Sequence, residues 1–156
     1  MTPALALYQP DIAQNTGTLL RLGACLGVPV HIIHPTGFPF SRAALKRAGM
    51  DYLDQVELIE HTGFSAFDSW RKLENRRLAL LTTKASVSCY DASFSESDIL
   101  LVGRESAGVP QSVDDSADLR LRIPMRQEAR SLNVAIAAAI VLGEALRQIK
   151  GFDTLI

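Results

Sequence analysis

Apolar residues along this chain come in short dense runs set between polar turns, and the runs alternate with segments of helical spacing. Ala4 to Tyr8 is the first run, closed by Gln9-Pro10, and it suits a buried strand. In LLRLGACLG, residues Leu19, Leu22, Cys25 and Leu26 follow a helical period. Val28 to His34 predicts a second strand stopped by Pro35-Thr36-Gly37, Arg42 to Ala48 a short basic helix, and Gln55 to Glu60 a third strand. A helix over Phe64 to Leu73 follows, then strands over Arg77 to Thr83, Asp98 to Gly103 and Leu119 to Ile123. One long helix, from Leu132 to Ile149, closes the pattern.

Strands alternating with helices, and strands apolar throughout rather than at every second residue, predict an α/β fold: a mostly parallel sheet with helices on both faces. Sheets of this kind bind ligands beyond the carboxyl ends of their strands, so the glycine-rich segments after the strands are where chemistry is expected. With 156 residues and no linker-like stretch, the chain reads as one domain, 1–156.

Composition narrows the function classes. Cys25 and Cys89 are the only cysteines and have no paired spacing, which excludes a disulfide framework and a cysteine-based zinc motif. The N-terminal MTPALALYQPDI lacks the basic start and long apolar run of a signal peptide, and the apolar stretch Val134 to Leu142 is too short to cross a bilayer. A cytoplasmic protein without membrane contact is the expectation. A net charge of −1 does not advertise a nucleic-acid binder, but the cations are clustered: Arg42, Lys46 and Arg47; Arg71, Lys72, Arg76 and Arg77; Arg120, Arg122, Arg126 and Arg130. Each cluster also reads as an ordinary solvated face.

Most familiar α/β chemistries are disfavoured. The dinucleotide fingerprint, the phosphate loop and the G-x-S-x-G nucleophile elbow are all missing, and His31, His34 and His61 show no ligand-like spacing, so no metal is expected. Three strand-end segments remain: Pro10 to Leu22, with Asn15-Thr16-Gly17 and Arg21; Leu100 to Pro110, with Gly103, Glu105 and Gly108; and Leu121 to Ala135, with Ile123-Pro124-Met125 and Ser131-Leu132-Asn133. Each has a structural reading beside a functional one. Asn15 suits a cap on the first helix and Ser131 a cap on the last, Asn133 suits a bond to nearby backbone, and the glycines suit turns. Arg21, among Leu19, Leu20 and Leu22, needs solvent or a partner.

Taken together the segments resemble, in order and spacing, the three motifs of the SPOUT superfamily of RNA methyltransferases, in its TrmH branch. The match with the small single-domain TrmL type runs nearly end to end through NTG, HIIHPTGF, LKRAGMDY, LLTTK, GRESAG, RIPM and SLN. The resemblance implies a C-terminal deep trefoil knot, S-adenosylmethionine as methyl donor with no metal, and a homodimer whose sites draw on both subunits. It places Leu81, Gly103, Ile123, Ser131 and Leu132 at the cofactor, and Asn15, Arg21, Glu105 and Asn133 in catalysis. It implies a tRNA partner, with the 2′-hydroxyl of the wobble nucleotide, position 34, of leucine tRNAs as the target. Another tRNA position, ribosomal RNA, or an idle RNA-binding role are the alternatives. We expect Arg42, Lys46 and Arg47 to hold phosphates. Family accounts have Arg21 activate the hydroxyl, yet a guanidinium needs about 7–9 kcal/mol to be neutral at pH 7. Arg21 is therefore expected to stay charged beside the developing alkoxide, with Glu105 orienting it through a paired hydrogen bond. Three departures stand out: Val134-Ala135-Ile136 after SLN where relatives carry further polar residues, Gly143 at a commonly aromatic position, and Arg104 where proline is common.

Overall fold

Strands buried along their whole length, as Ala4–Tyr8 (β1) and Asp98–Val102 (β5) are, must be covered on both faces. The structure, a computed structural model, describes residues 1–48 and 50–156; Gly49 of the LKRAGMDY segment lies outside the described residues. Between and after those strands the chain forms α1 (Ala13–Leu26), β2 (Val30–Ile33), α2 (Arg42–Arg47), β3 (Leu58–His61), α3 (Phe64–Leu73) and β4 (Arg77–Leu81). Beyond β5 come α4 (Gln111–Ser116), β6 (Leu119–Leu121) and α5 (Val134–Gln148). Every strand pairing is parallel, in the order β3-β2-β1-β5-β4-β6.

The pleat sends alternate residues to opposite layers. Leu5, Leu7, Val30, Ile32, Leu100, Val102 and Leu121 face α1 and α5, whose Leu19, Leu20, Ala138, Val141 and Leu142 complete one core. Ala4, Ala6, Tyr8, Ile33, Leu78, Leu80, Ile99 and Leu101 face α3 and α4, where Phe67, Val113 and Ala117 close the other. Among the described residues no helix is long and apolar enough to cross a membrane.

Predicted and observed elements differ mainly at their ends. The second strand begins at Val30, because the Val28 amide instead donates to Gly23 at the end of α1 (2.9 Å). The third begins at Leu58, because Leu53–Gln55 forms a turn of 3-10 helix. The first helix starts at Ala13, so Asn15 lies inside its first turn and does not cap it. Asn133, not Ser131, caps α5: its side-chain oxygen accepts from the Ala135 and Ile136 amides at 2.8 and 3.3 Å. The six-residue α4 had no visible period in the sequence.

Candidate active site

Beyond the carboxyl ends of β4, β5 and β6 the sheet opens into a cavity of about 600 Å³. Three connections wall it: Leu81–Lys84 after β4, the Gly103–Val109 hairpin after β5, and Leu121–Met125 after β6. Ser131, Leu132, Asn133 and the start of α5 close one side, and Ile12 and Asn15 of the α1 entrance close another. The predicted cofactor residues Leu81, Gly103, Ile123, Ser131 and Leu132 all line this one space, with Asn15, Glu105 and Asn133.

The hairpin after β5 owes its shape to glycine. A Cβ on Gly103 would lie 2.7 Å from the Gly108 carbonyl carbon, which leaves no room for a side chain there, and Gly108 sits at φ +66°, where an L side chain is strained. Reciprocal backbone bonds between Arg104 and Gly108 (3.0 and 2.8 Å) then close the turn. The segment after β6 is held similarly: the Cys89 amide donates to Arg122 (2.8 Å) and the Arg122 amide to Val87 (2.9 Å). Asn133 Nδ2 donates to Asn15 Oδ1 at 3.0 Å, joining the first and third sequence segments across 118 residues.

Arg21 does not reach the cavity of its own chain. It is exposed on α1, its guanidinium 5.5 Å from the centre of the Tyr52 ring, a cation–π distance. Tyr52 in turn donates to the Gly17 carbonyl at 2.5 Å, and a Cβ on Gly17 would meet the Met50 side chain. The NTG and MDY segments are thus packed on each other, and Arg21 stands over their junction. The expected Arg21–Glu105 hydrogen bond is not made within the chain. Glu105 accepts instead from the Asp11 amide (3.1 Å).

Arg42, Lys46 and Arg47 are exposed on α2, which Leu45 anchors in the core and Ser41 caps. None lines the cavity. Lys46 lies 3.7 Å from Asp54, an exposed pair that leaves its charge in solvent. The histidines are elsewhere. His31 and His61 stack with a ring–ring distance of 5.2 Å and share a 2.9 Å hydrogen bond beneath Phe67 and Trp70, while His34 meets Glu60 at 2.8 Å. Among the described residues no group of three or more His, Cys, Asp or Glu side chains is placed to hold a metal.

Sequence reasoning missed Asp11. It sits at the junction of β1, the 34–37 turn and the hairpin after β5, and its carboxylate accepts from the Glu105 amide (3.2 Å) and from the Ser106 hydroxyl. Side-chain hydrogen bonding with the Glu105 carboxyl first, and with the Ser106 hydroxyl second, holds Asp11 down at about 2, while burial and then the side-chain hydrogen bond with Asp11 push Glu105 above its ordinary value. An aspartate one residue after a proline carries no local signal; its partners are 94 and 95 positions away.

Comparison with known proteins shows which family the chain belongs to. Over 152 residues the chain is 58% identical to a tRNA (cytidine(34)-2′-O)-methyltransferase of Ancylobacter novellus, covering 97% of this chain and 96% of that one. A solved structure described as giving insight into 2′-OH methylation of C/U34 on tRNA superposes with a TM-score of 0.84 at 42% identity, over 96% of this chain and 97% of the other. An AdoMet-bound rRNA methyltransferase of Sinorhizobium meliloti matches with a TM-score of 0.83 at 28% identity, over 94% of this chain and 56% of its own. The model of the SpoU rRNA methylase family matches residues 3–143, and with the three motif segments meeting at one cavity, the chain belongs to that family.

Proposed function

We propose that this protein is an S-adenosylmethionine-dependent tRNA methyltransferase that modifies the ribose 2′-hydroxyl of nucleotide 34, in leucine tRNAs. The observation that carries the reading is the convergence of all three motif segments on one cavity of about 600 Å³, in a chain so similar over its whole length to a C34 enzyme. The volume falls in the range of small-molecule sites. The lining also suits the group: Leu81, Ile123 and Leu132 offer apolar contact for a nucleobase, and the close-packed Gly103 hairpin offers bare backbone for hydrogen bonds. At the same wall Arg104 Nε is a buried donor with no hydrogen-bond partner among the described residues. When bound, the sulfonium supplies an electrophilic methyl group.

The chain's own residues then position and exclude. Asn133, held by its cap bonds, and Asn15, joined to it, set the floor on which the ribose is oriented. Ser131 and Leu132 cover the cavity from the side of α5. The reading includes the family's trefoil knot, which membership of the SpoU methylase family supports. It also includes a homodimer. Ile136 is 53% exposed on α5, and Arg21, outside its own cavity, is free on α1 to serve a second subunit's site. A cytoplasmic enzyme is what a tRNA substrate requires.

The test uses purified protein, labelled S-adenosylmethionine and total bacterial tRNA, followed by mapping of the methylated nucleotide. Label on the nucleotide-34 ribose of leucine tRNAs is the expected result. Label at another nucleotide overturns the substrate, and no transfer to tRNA overturns the activity.

A further inference from the structure

Within its own chain Glu105 lies on the cavity wall and is bonded to Asp11. We propose that Asp11 is a positioning residue for methyl transfer: through reciprocal hydrogen bonds it fixes the Glu105 carboxylate at the cavity wall as acceptor of the ribose 2′-hydroxyl proton. The inference rests on the methyltransferase reading of this cavity.

The geometry is specific to these two residues. The Asp11 amide donates to Glu105 Oε2 (3.1 Å) and the Glu105 amide donates to Asp11 Oδ1 (3.2 Å). Ser106 donates to the other Asp11 oxygen, so both oxygens of Asp11 are engaged with the hairpin. Asp11 is itself held from behind, because the neighbouring Pro10 carbonyl accepts from the Gly37 amide at 2.9 Å. The hairpin carrying Glu105 is therefore bound to the end of β1 by side chains, beside the backbone closure between Arg104 and Gly108. Glu105 lines the cavity and Asp11 does not, so Asp11 acts through Glu105.

The chemistry follows from the pairing. Burial first, and then the hydrogen bond with the Asp11 carboxylate, let Glu105 hold a proton more readily than a carboxylate in water. As the O–CH3 bond forms, the C–S bond breaks with its electron pair going to sulfur. The 2′-hydroxyl proton passes to Glu105, leaving a neutral thioether, a methyl ether and a carboxylic acid that later returns its proton to water. Lys84, Arg104, Asp114 and Arg122 are the other charged residues around the cavity, and their balance enters the same titration.

Asp11→Asn and Asp11→Ala separate the proton-tuning role from a tether. Asparagine keeps an acceptor for the Glu105 amide and loses the charge; alanine loses both. Three readouts are needed: the carboxyl titration of Glu105 by carbon NMR, identified by its disappearance in Glu105→Gln; S-adenosylhomocysteine affinity; and the pH profile of kcat on tRNA. In Asp11→Asn we expect the Glu105 titration to move down toward the ordinary carboxylate range. We also expect kcat at neutral pH to fall by about tenfold, and S-adenosylhomocysteine affinity and KM for tRNA to change less than about twofold, because general-base efficiency follows base strength. A wild-type titration and pH profile in Asp11→Asn, whatever Asp11→Ala does, overturns the proposal. If wild-type protein binds S-adenosylhomocysteine yet methylates no RNA, the methyltransferase reading fails on its own. An unmoved Glu105 titration then still overturns the Asp11–Glu105 link, and a lowered one supports it.

Discussion

Two regions flank the same sheet and treat polar side chains in opposite ways. Under α3, at the β2–β3 edge, His31 and His61 are stacked, bonded to each other and enclosed by Phe67 and Trp70. At the carboxyl ends of β4, β5 and β6, Glu105, Asn15 and Asn133 are tied by neighbours on one side and left open to a cavity on the other. The first arrangement pairs the two rings with each other inside an aromatic wall and stabilises the fold. The second satisfies only part of each group, and the unsatisfied remainder is what a substrate can use. Burial of titratable groups alone therefore does not mark a site here. His31 has the larger shift, down to about 3, and lies in the closed region.

That contrast can be broken or sharpened in four ways. Phe67 is fully buried and touches both histidine rings, so Phe67→Ala should cost about 3–5 kcal/mol in denaturant unfolding. The protein that remains folded should still bind S-adenosylhomocysteine; a loss of binding equal to the loss of stability would erase the division between the regions. Gly103→Ala tests the other side. Its Cβ must displace the Gly108 backbone at 2.7 Å, and overpacking costs of about 1–3 kcal/mol should appear as weakened S-adenosylhomocysteine binding, by about tenfold or more, measured by calorimetry.

The third is a pH dependence. Burial first, then the charges of His61 and Arg76, lower His31 from 6.5 to about 3. Between those values the unfolded chain binds a proton that the folded chain refuses, so stability is retained above pH 6.5 and lost as pH falls toward 3. The slope is at most about 1.4 kcal/mol per pH unit. His31→Phe should flatten this acid limb in urea titrations at several pH values, and an unchanged limb would show that other groups set it. The smallest expected effect concerns α2. Replacing Arg42, Lys46 and Arg47 with alanine should flatten the slope of log affinity for tRNA against log salt by about 2, at roughly 0.7 per single-strand phosphate. An unchanged slope would confine RNA contact to the cavity side.

The legible part of this molecule was the part written locally. The apolar runs at Ala4–Tyr8 and Asp98–Val102 had to become strands buried on both faces, and they did. Glycines at Gly103 and Gly108 marked a tight turn, and the cofactor candidates named by the motif resemblance all line one cavity. Helix ends were less legible. Both Ser131 and Asn133 suit a cap by residue type, and only the path of the chain chose Asn133.

The sequence by itself determined the layered α/β class, the strand segments and the chemistry available at their ends, because burial and backbone propensity act over a few residues. Tertiary structure alone decided that β5 slots between β1 and β4, that Arg21 rests over Tyr52 outside the cavity, and that Asp11 is paired with Glu105 across 94 positions. Those outcomes depend on which distant backbone and side-chain groups must satisfy one another once the sheet closes. No local pattern carries that information, since each partner alone is an ordinary polar residue at a strand end or on a helix face.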